Sequence, residues 1–123
     1  MIKKQEGVWI AEGPIFSFSA KDIEFLEREA PLTQKKRARI CFHEEGDALH
    51  QMLIAFCAGS ENTMHSHQHA ESQYVIKGTM LFEFSGSLKD CFLDPGEFLK
   101  IPPGILHKPI PLTRCVVLET CLK

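Results

Sequence analysis

From residue 37 onward, the sequence is built of short apolar or alternating runs broken by glycine, proline, aspartate and serine. The runs are RARICFH (37–43), QMLIAFCA (51–58), QYVIK (73–77), TMLFEFS (79–85), DCFL (90–93), FLKIP (98–102) and CVVLET (115–120). Runs this short and this regularly spaced are typical of an all-β sandwich or barrel. No repeat, low-complexity tract or linker separates them. We therefore expect one domain over residues 1–123, with an N-terminal extension and helix over 1–34 and a barrel over about 35–123.

The N-terminal segment contains one pattern that is typical of a helix. Ser19 is a good N-cap residue, and Asp22 follows where an acidic side chain favours a helix N-terminus. Apolar side chains then recur on one helical face until a proline stops the pattern. We expect one amphipathic helix over residues 20–30, and an irregular segment over 1–18 apart from a short strand at 8–11.

Charge, hydropathy and cysteine usage exclude several classes of protein. A net charge of -2 gives no electrostatic argument for a nucleic-acid partner. No apolar run approaches the roughly 20 residues of a membrane span, and no apolar stretch typical of a secretory signal follows the N-terminal lysines. The five cysteines include no Cys-x-x-Cys pair, which favours buried thiols in a reducing compartment. We expect a cytoplasmic protein that binds neither nucleic acid nor membrane.

Residues 59–78, GSENTMHSHQHAESQYVIKG, hold three histidines at alternate positions. Side chains two residues apart on a strand point to the same side, so His65 and His67 can direct their imidazoles toward one point. Glu71 can face that point from the start of the next strand, provided that the chain turns just before it. That turn would direct His69 outward, as a loop residue or a neighbour of the site.

A second segment, GEFLKIPPGILH over residues 96–107, offers a fourth ligand. Its Pro-Pro-Gly sequence forms a tight turn that would aim His107 at the same point. Three imidazoles and one carboxylate suit Zn, Fe, Mn, Co or Ni. The spacing therefore predicts one metal site, and the alternative is a set of surface loop histidines beside ordinary glycine turns.

The intervals within the two segments together resemble those of the cupin superfamily. Gly59 and Gly78 flank the His-x-His-x-x-x-Glu sequence, and Gly104 precedes the last histidine. The resemblance implies a double-stranded β-helix, or jelly-roll barrel, that binds one divalent transition metal (Zn, Fe, Mn or Ni). The ligands that it implies are the residues at four matched positions, His65, His67, Glu71 and His107. The chain departs from the motif at Pro111, where an asparagine that is not a ligand is common. Small cupins commonly form homodimers, so the resemblance also implies a homodimer.

Residues 32–56, LTQKKRARICFHEEGDALHQMLIAF, are similar to a narrower group, the WbuC-type cupin metalloproteins. The shared features appear here in RARICFH, in HQMLI and at Glu119. These are small bacterial cupins, often encoded among genes for surface-polysaccharide synthesis. The chain departs from the group in a shorter spacing before Glu71 and in its C-terminal CLK, and the resemblance supplies no substrate.

As a strand, RARICFH places Arg37, Arg39, Cys41 and His43 on one face and its apolar side chains on the other. Arginine binds carboxylate and phosphate groups in a bidentate fork. We therefore expect Arg37 and Arg39, with His43, to bind an anionic small-molecule substrate near the metal. The alternative is a solvated edge strand whose arginines meet surface acids.

Alternation also assigns inward positions on the following strands. Gln73 lies two residues after Glu71 on the same strand, so we expect its side chain to face inward as well. Its amide can then bind a ligand or a metal-bound water. Met80, Phe82 and Phe84 form a stripe that is typical of a core or a dimer interface. We expect His50 to be partly exposed, and the alternative is a side chain that contacts the metal ligands from behind.

The predicted site is compatible with three classes of function. The first is a metal-dependent enzyme that acts on a small anionic oxygenated metabolite, such as a sugar or sugar acid, as an isomerase, epimerase or lyase. The second is a dioxygenase or decarboxylase with Fe, Mn or Ni. The third is a non-catalytic, metal-bearing metabolite-binding module. The first class also requires a general base, for which His43, Glu83 and a metal-bound hydroxide are the candidates, and no catalytic residue is assigned.

Overall fold

The computed structural model describes residues 1–122, which form ten strands and one α-helix. The strands are β1 (Ile2–Gln5), β2 (Val8–Ile10), β3 (Arg37–Cys41), β4 (Leu49–Phe56), β5 (Glu71–Lys77), β6 (Met80–Phe84), β7 (Cys91–Leu93), β8 (Phe98–Ile101), β9 (His107–Pro111) and β10 (Cys115–Leu122). Helix α1 (Ala20–Glu29) continues into a short 3-10 turn, Ala30–Leu32. Among these residues, no helix has the length and apolarity needed to cross a membrane.

The strands form two sheets. The large sheet has the order β1-β2-β3-β4-β10-β5-β8, and the small sheet has the order β7-β6-β9. All pairs are antiparallel except β2 with β3. The prediction of an all-β jelly-roll barrel with one short N-terminal helix is confirmed.

The main core lies between the two sheets and is formed by alternate side chains of their facing strands. It consists of Ile54, Phe56, Val75, Met80, Phe82, Leu93, Ile101, Cys115 and Val117. Met80 and Phe82 are 0% and 1% exposed, so the methionine and phenylalanine stripe belongs to this core. The same strands also carry polar side chains on their inward faces, because alternate residues of a strand share a face. These polar side chains face the interior at one end of the barrel.

The opposite face of the large sheet packs under α1. Ala38 and Ile40 of β3 join a second buried cluster with Leu26 of the helix and Trp9 of β2. Leu26 is fully buried, and the ring of Trp9 meets that of Phe25 edge to face at 5.0 Å. The apolar face of RARICFH is therefore buried against the helix, which turns its arginines into the barrel.

The N-terminal segment is more regular than its sequence predicts. A strand over Val8–Ile10 matches the expected one, but Ile2–Gln5 pairs with it as a hairpin that extends the large sheet to its edge. The four residues of β1 are all exposed, so no apolar alternation marks them in the sequence. Strand β9 was not predicted either, because Pro109 and Pro111 interrupt its pattern. It lies at the edge of the small sheet beside β6, and prolines are tolerated on such an edge strand.

Candidate metal centre

Backbone hydrogen bonds hold the two histidine segments against each other. The amide of His65 donates to the carbonyl of His107 at 2.9 Å, and the amide of His107 donates back at 2.8 Å. The amide of Gly104 donates to the carbonyl of His67 at 2.9 Å. The Pro-Pro-Gly turn thus joins the loop before β5 directly to the start of β9.

A backbone carbonyl also orients each of two imidazole rings. The Nδ1 atom of His65 lies 2.8 Å from the carbonyl of Thr63, and Nδ1 of His107 lies 2.9 Å from the carbonyl of Ile105. A carbonyl only accepts, so each neutral ring carries its proton on Nδ1 and keeps the lone pair of Nε2. This is the hydrogen-bonding pattern of histidines that bind a metal through Nε2.

The four predicted ligands converge. His65, His67, Glu71 and His107 each offer one ligand atom, and these atoms all lie within 4.8 Å of one another. Glu71 and His107 are buried, whereas the two loop histidines are partly exposed. The centre therefore rests on the barrel wall and opens on the side of the loop.

The carboxylate of Glu71 and the ring of His107 are in direct contact, and Nε2 of His67 lies 3.7 Å from the carboxylate. Burial alone would raise the pKa of Glu71, but the hydrogen bond and positive charge of His107 outweigh it and lower that pKa. Burial alone would lower the pKa of His107, but its hydrogen bonds to Glu71 and to the Ile105 carbonyl, together with the negative charge of Glu71, outweigh burial and raise that pKa.

The donor set fits a divalent transition metal. Three imidazoles and one carboxylate are ligands that Zn, Fe, Mn and Ni accept. The cluster gathers these donors at close range, two of them on buried side chains.

Gln73 and His69 take different places around the centre. Gln73 is 4% exposed, and its amide nitrogen donates to Glu71 Oε2 at 3.4 Å and to Glu119 Oε1 at 2.5 Å. The Gln73 side chain points inward, as strand alternation predicts. It lies behind Glu71, and its amide group is hydrogen-bonded to the carboxylates of Glu71 and Glu119. His69 is exposed on the loop, which agrees with the predicted outward turn.

A cavity of about 960 Å³ opens beside the centre. Arg37, Arg39 and His43 line it together with His65 and His67. The Nη1 atom of Arg37 donates to Oδ1 of Asn62 at 2.5 Å. The arginines therefore face an interior space and not the solvated edge that was the alternative interpretation.

Sequence reasoning missed the roles of three cavity-lining residues. Glu119 was named only through a resemblance, although its alternation with the buried Val117 signals an inward position. His50 is 8% exposed and stacks on His43 at 3.9 Å between ring centroids, so the expectation of a partly exposed side chain is wrong. Lys4 reaches the cavity from the unpredicted hairpin, for which the sequence carries no signal.

Comparison with protein families gives a match to the cupin domain over residues 52–121, more than half of the chain. A curated relative, the 3-hydroxyanthranilate 3,4-dioxygenase of Candida albicans, is 27% identical over 89 residues. That alignment covers 71% of this chain and 50% of the relative, so the chain spans about half the length of that protein.

Solved structures share the fold. A conserved Streptococcus pyogenes protein of unknown function superposes with a TM-score of 0.65 at 15% identity, covering 74% of this chain and 77% of its own. KdgF from Halomonas sp. superposes with a TM-score of 0.61 at 24% identity, covering 70% of this chain and 79% of its own. At these identities the likeness concerns the fold alone.

Proposed function

The chain belongs to the cupin superfamily, and from that premise we propose that it is a metal-dependent enzyme acting on a small anionic oxygenated metabolite. The observation that carries this proposal is the convergence of three imidazoles and one carboxylate beside a cavity lined by arginines. In this proposal His65, His67, Glu71 and His107 hold one divalent transition metal. The substrate is of the size and polarity of a sugar acid, and the reaction is an isomerisation, epimerisation or elimination.

Arg37 and Arg39 support an anionic substrate. Burial and the neighbouring charge of Arg39 lower the pKa of Arg37, yet a guanidinium remains protonated in proteins. Two like charges held inside one cavity are stabilised by an anion between them. We place His43 beside them as a third group that contacts the substrate, because it lines the same cavity.

When bound, the metal would act as a Lewis acid toward a carbonyl or hydroxyl oxygen of the substrate. The chain must also supply a group that accepts a proton. His43 lines the cavity, and burial lowers its pKa, so it is neutral and able to accept a proton at pH 7. Glu83 points away from the core face of β6 and lies opposite Lys108, which places it outside the cavity. His43 is therefore our preferred base, and Gln73 serves to orient Glu71.

The metal content of the purified chain, measured by mass spectrometry, tests the ligand set. We expect about one transition metal per chain in the wild type and in His69→Ala, whose histidine lies on the exposed loop. The double variant His65→Ala/His107→Ala should be empty. A wild type that takes up none of Zn, Fe, Mn or Ni would overturn the metal proposal and leave a metal-free binding module.

Replacing the arginines tests the substrate proposal separately. Arg37→Met and Arg39→Met should weaken binding of every anionic ligand that the wild type binds, by tenfold or more for each lost charge-assisted hydrogen bond. Metal content should stay unchanged. Unaltered affinity for all anionic ligands in the Arg37→Met/Arg39→Met double variant would contradict the role of both residues.

The curated relative favours a second candidate function, a dioxygenase. The discriminating measurement is the element bound by the chain when it is purified without added metal. Bound Fe with consumption of O₂ would support the dioxygenase, whereas Zn excludes O₂ activation at the metal and supports the Lewis-acid class.

We also propose a homodimer, since exposed apolar side chains remain on the outer faces of both sheets. Tyr74 and Phe98 are paired in register on the large sheet and are 42% and 59% exposed, and Phe92 on the small sheet is 61% exposed. Light scattering on the wild type should give the mass of two chains. Whichever of Phe98 and Phe92 lies in the interface, its replacement by Glu should give the mass of one chain. A wild type with the mass of one chain would refute the dimer.

A further inference from the structure

We propose that Arg39 and His50 form a carboxylate-binding subsite in the cavity, separate from the metal centre. The subsite would hold one end of a small organic acid whose other end carries an oxygen donor for the metal. The second half of this inference rests on the proposed function. The first half concerns residues of β3 and β4 alone.

Two buried polar atoms without partners point to a missing ligand. The Nε atom of Arg39 and the Nε2 atom of His50 are both buried and have no hydrogen-bond partner among the described residues. Both side chains line the same cavity. Leaving a buried donor unpaired destabilises the folded chain, and the effect is greater for a charged group. A bound carboxylate would accept one hydrogen bond from Arg39 Nε and one from His50 Nε2 in the tautomer that carries its proton on Nε2.

His43 and Cys41 link the two members of the subsite. The charge of Arg39 acts on both the Cys41 thiol and the His43 ring. His43 in turn stacks on His50 at 3.9 Å. Arg39 and His50 therefore both lie near the His43 ring.

Strand register fixes the separation between this subsite and the metal centre. His50 of β4 lies opposite Cys121 of β10, and Cys121 lies opposite Glu71 of β5. Two strand spacings therefore separate the backbones of His50 and Glu71, a distance of about 10 Å. The side chains of His50 and Glu71 fill part of this distance, and the remainder suits a ligand with a chain of a few carbon atoms.

The charges that line the cavity agree with an anionic ligand on this side. Lys4, Lys35, Arg37 and Arg39 are its cationic members outside the histidines, and the two arginines are the partly buried ones. The opposing acids Glu6, Glu44 and Glu45 are exposed at the mouth, where water screens them. Glu119 is the acid that faces Arg39 from β10, and its carboxyl is hydrogen-bonded to Gln73.

An acetate titration followed by NMR tests the subsite without any assumption about the reaction. We expect saturable shifts of the Arg39 Nε–H and His50 ring signals, both in the wild type and in the metal-free His65→Ala/His107→Ala variant. Arg39→Lys keeps the charge but removes Nε, and His50→Gln removes the ring, so each should weaken acetate binding at least tenfold. Arg28→Met and His69→Gln, at two exposed positions, are the matched controls. Absence of a saturable shift, or unchanged affinity in both test variants, would overturn the subsite.

A series of dicarboxylates from oxalate to adipate then tests the two-ended ligand. In the metal-loaded wild type, calorimetry should show affinity that peaks at one chain length, and the peak should vanish in the metal-free variant. Affinity independent of chain length would refute the two-ended ligand while leaving the acetate result standing. Failure of the metal proposal is recognised separately, by a metal-free wild type that still binds acetate.

Discussion

At the scale of single residues, the contact between Glu71 and His107 makes the metal-free chain sensitive to pH. The pKa of Glu71 lies below its ordinary value of 4.5, so its contribution to stability is present above pH 4.5 and is lost as the pH falls through the lowered pKa. The pKa of His107 lies above 6.5, so its contribution is present below pH 6.5 and is lost as the pH rises through the raised pKa. The ion pair therefore stabilises the metal-free chain most between about pH 4.5 and 6.5.

This window predicts the behaviour of Glu71→Gln. In urea titrations of chelator-treated protein, the free energy of unfolding lost in the variant should be greatest between about pH 4.5 and 6.5 and should shrink at higher pH. A loss that instead grew with pH would mean that the two side chains are not paired in the metal-free chain.

Glu119 has a pH dependence of the opposite kind. Burial and the nearby Glu71 raise its pKa from 4.5 to about 7. The folded chain then binds this proton more tightly than the unfolded chain, so stability falls as the pH rises from about 4.5 to 7. Glu119→Gln, which mimics the neutral acid, should gain stability relative to the wild type across that range in chelator-treated samples. Glu24→Gln, on the exposed face of α1, is the control, and parallel pH profiles of wild type and Glu119→Gln would contradict the shift.

At the scale of elements, the turn between β5 and β6 depends on a glycine that has no room for a side chain. Gly78 has a φ of +81°, and an added Cβ would lie 2.0 Å from the carbonyl oxygen of Arg114. Gly86 has a similar φ of +75°, but an added Cβ there would meet nothing within 4 Å. The two positions thus differ in packing and share the same backbone strain.

Alanine substitutions at these glycines separate strain from collision. Gly86→Ala should lose about 1–2 kcal/mol of unfolding free energy, the cost of a left-handed non-glycine residue. Gly78→Ala should lose more unfolding free energy than Gly86→Ala, about 2 kcal/mol or above in total, because the backbone near Arg114 must also move. Chemical denaturation measures both, and equal losses would show that the turn relaxes without cost.

Strand alternation explains why so much of the site could be predicted from the sequence. Arg37 and Arg39 alternate with the buried Ala38 and Ile40, and because a strand has a period of two, this pattern predicted that the two arginines share the face opposite the apolar one. The same argument placed Gln73 inward beside Glu71.

The features that could not be predicted depend on partners distant in sequence. His50 is buried because its ring stacks on His43, seven residues earlier across a strand pair whose register no local pattern reveals. Strand β1 carries four exposed residues and forms because its backbone pairs with β2, so apolar periodicity does not indicate it. The link between Gln73 and Glu119 joins strands 46 residues apart and likewise follows only from the sheet order.

At the scale of the whole molecule, the fold brings together ligands from distant parts of the chain. His65 and His67 lie on a loop, Glu71 begins a strand of the large sheet, and His107 begins a strand of the small sheet. A metal that binds all four therefore links the two sheets at one end of the barrel. The unfolded chain does not hold the four ligands together, so the metal binds only the folded state and thereby stabilises it.

Removal of the metal should therefore lower the thermal stability of the whole barrel. A metal present at about a thousand times its dissociation constant adds roughly 4 kcal/mol to the free energy of unfolding, which corresponds to a rise on the order of 10 °C in Tm for a chain of this size. Calorimetry on chelator-treated wild type, before and after one equivalent of Zn²⁺ or Mn²⁺ is returned, should show a fall and a recovery of that size. His69→Ala should behave like the wild type, whereas His65→Ala/His107→Ala should melt at one temperature under all conditions. If the wild type melted at the same temperature with and without metal, the four side chains would not act as a single site that joins the sheets.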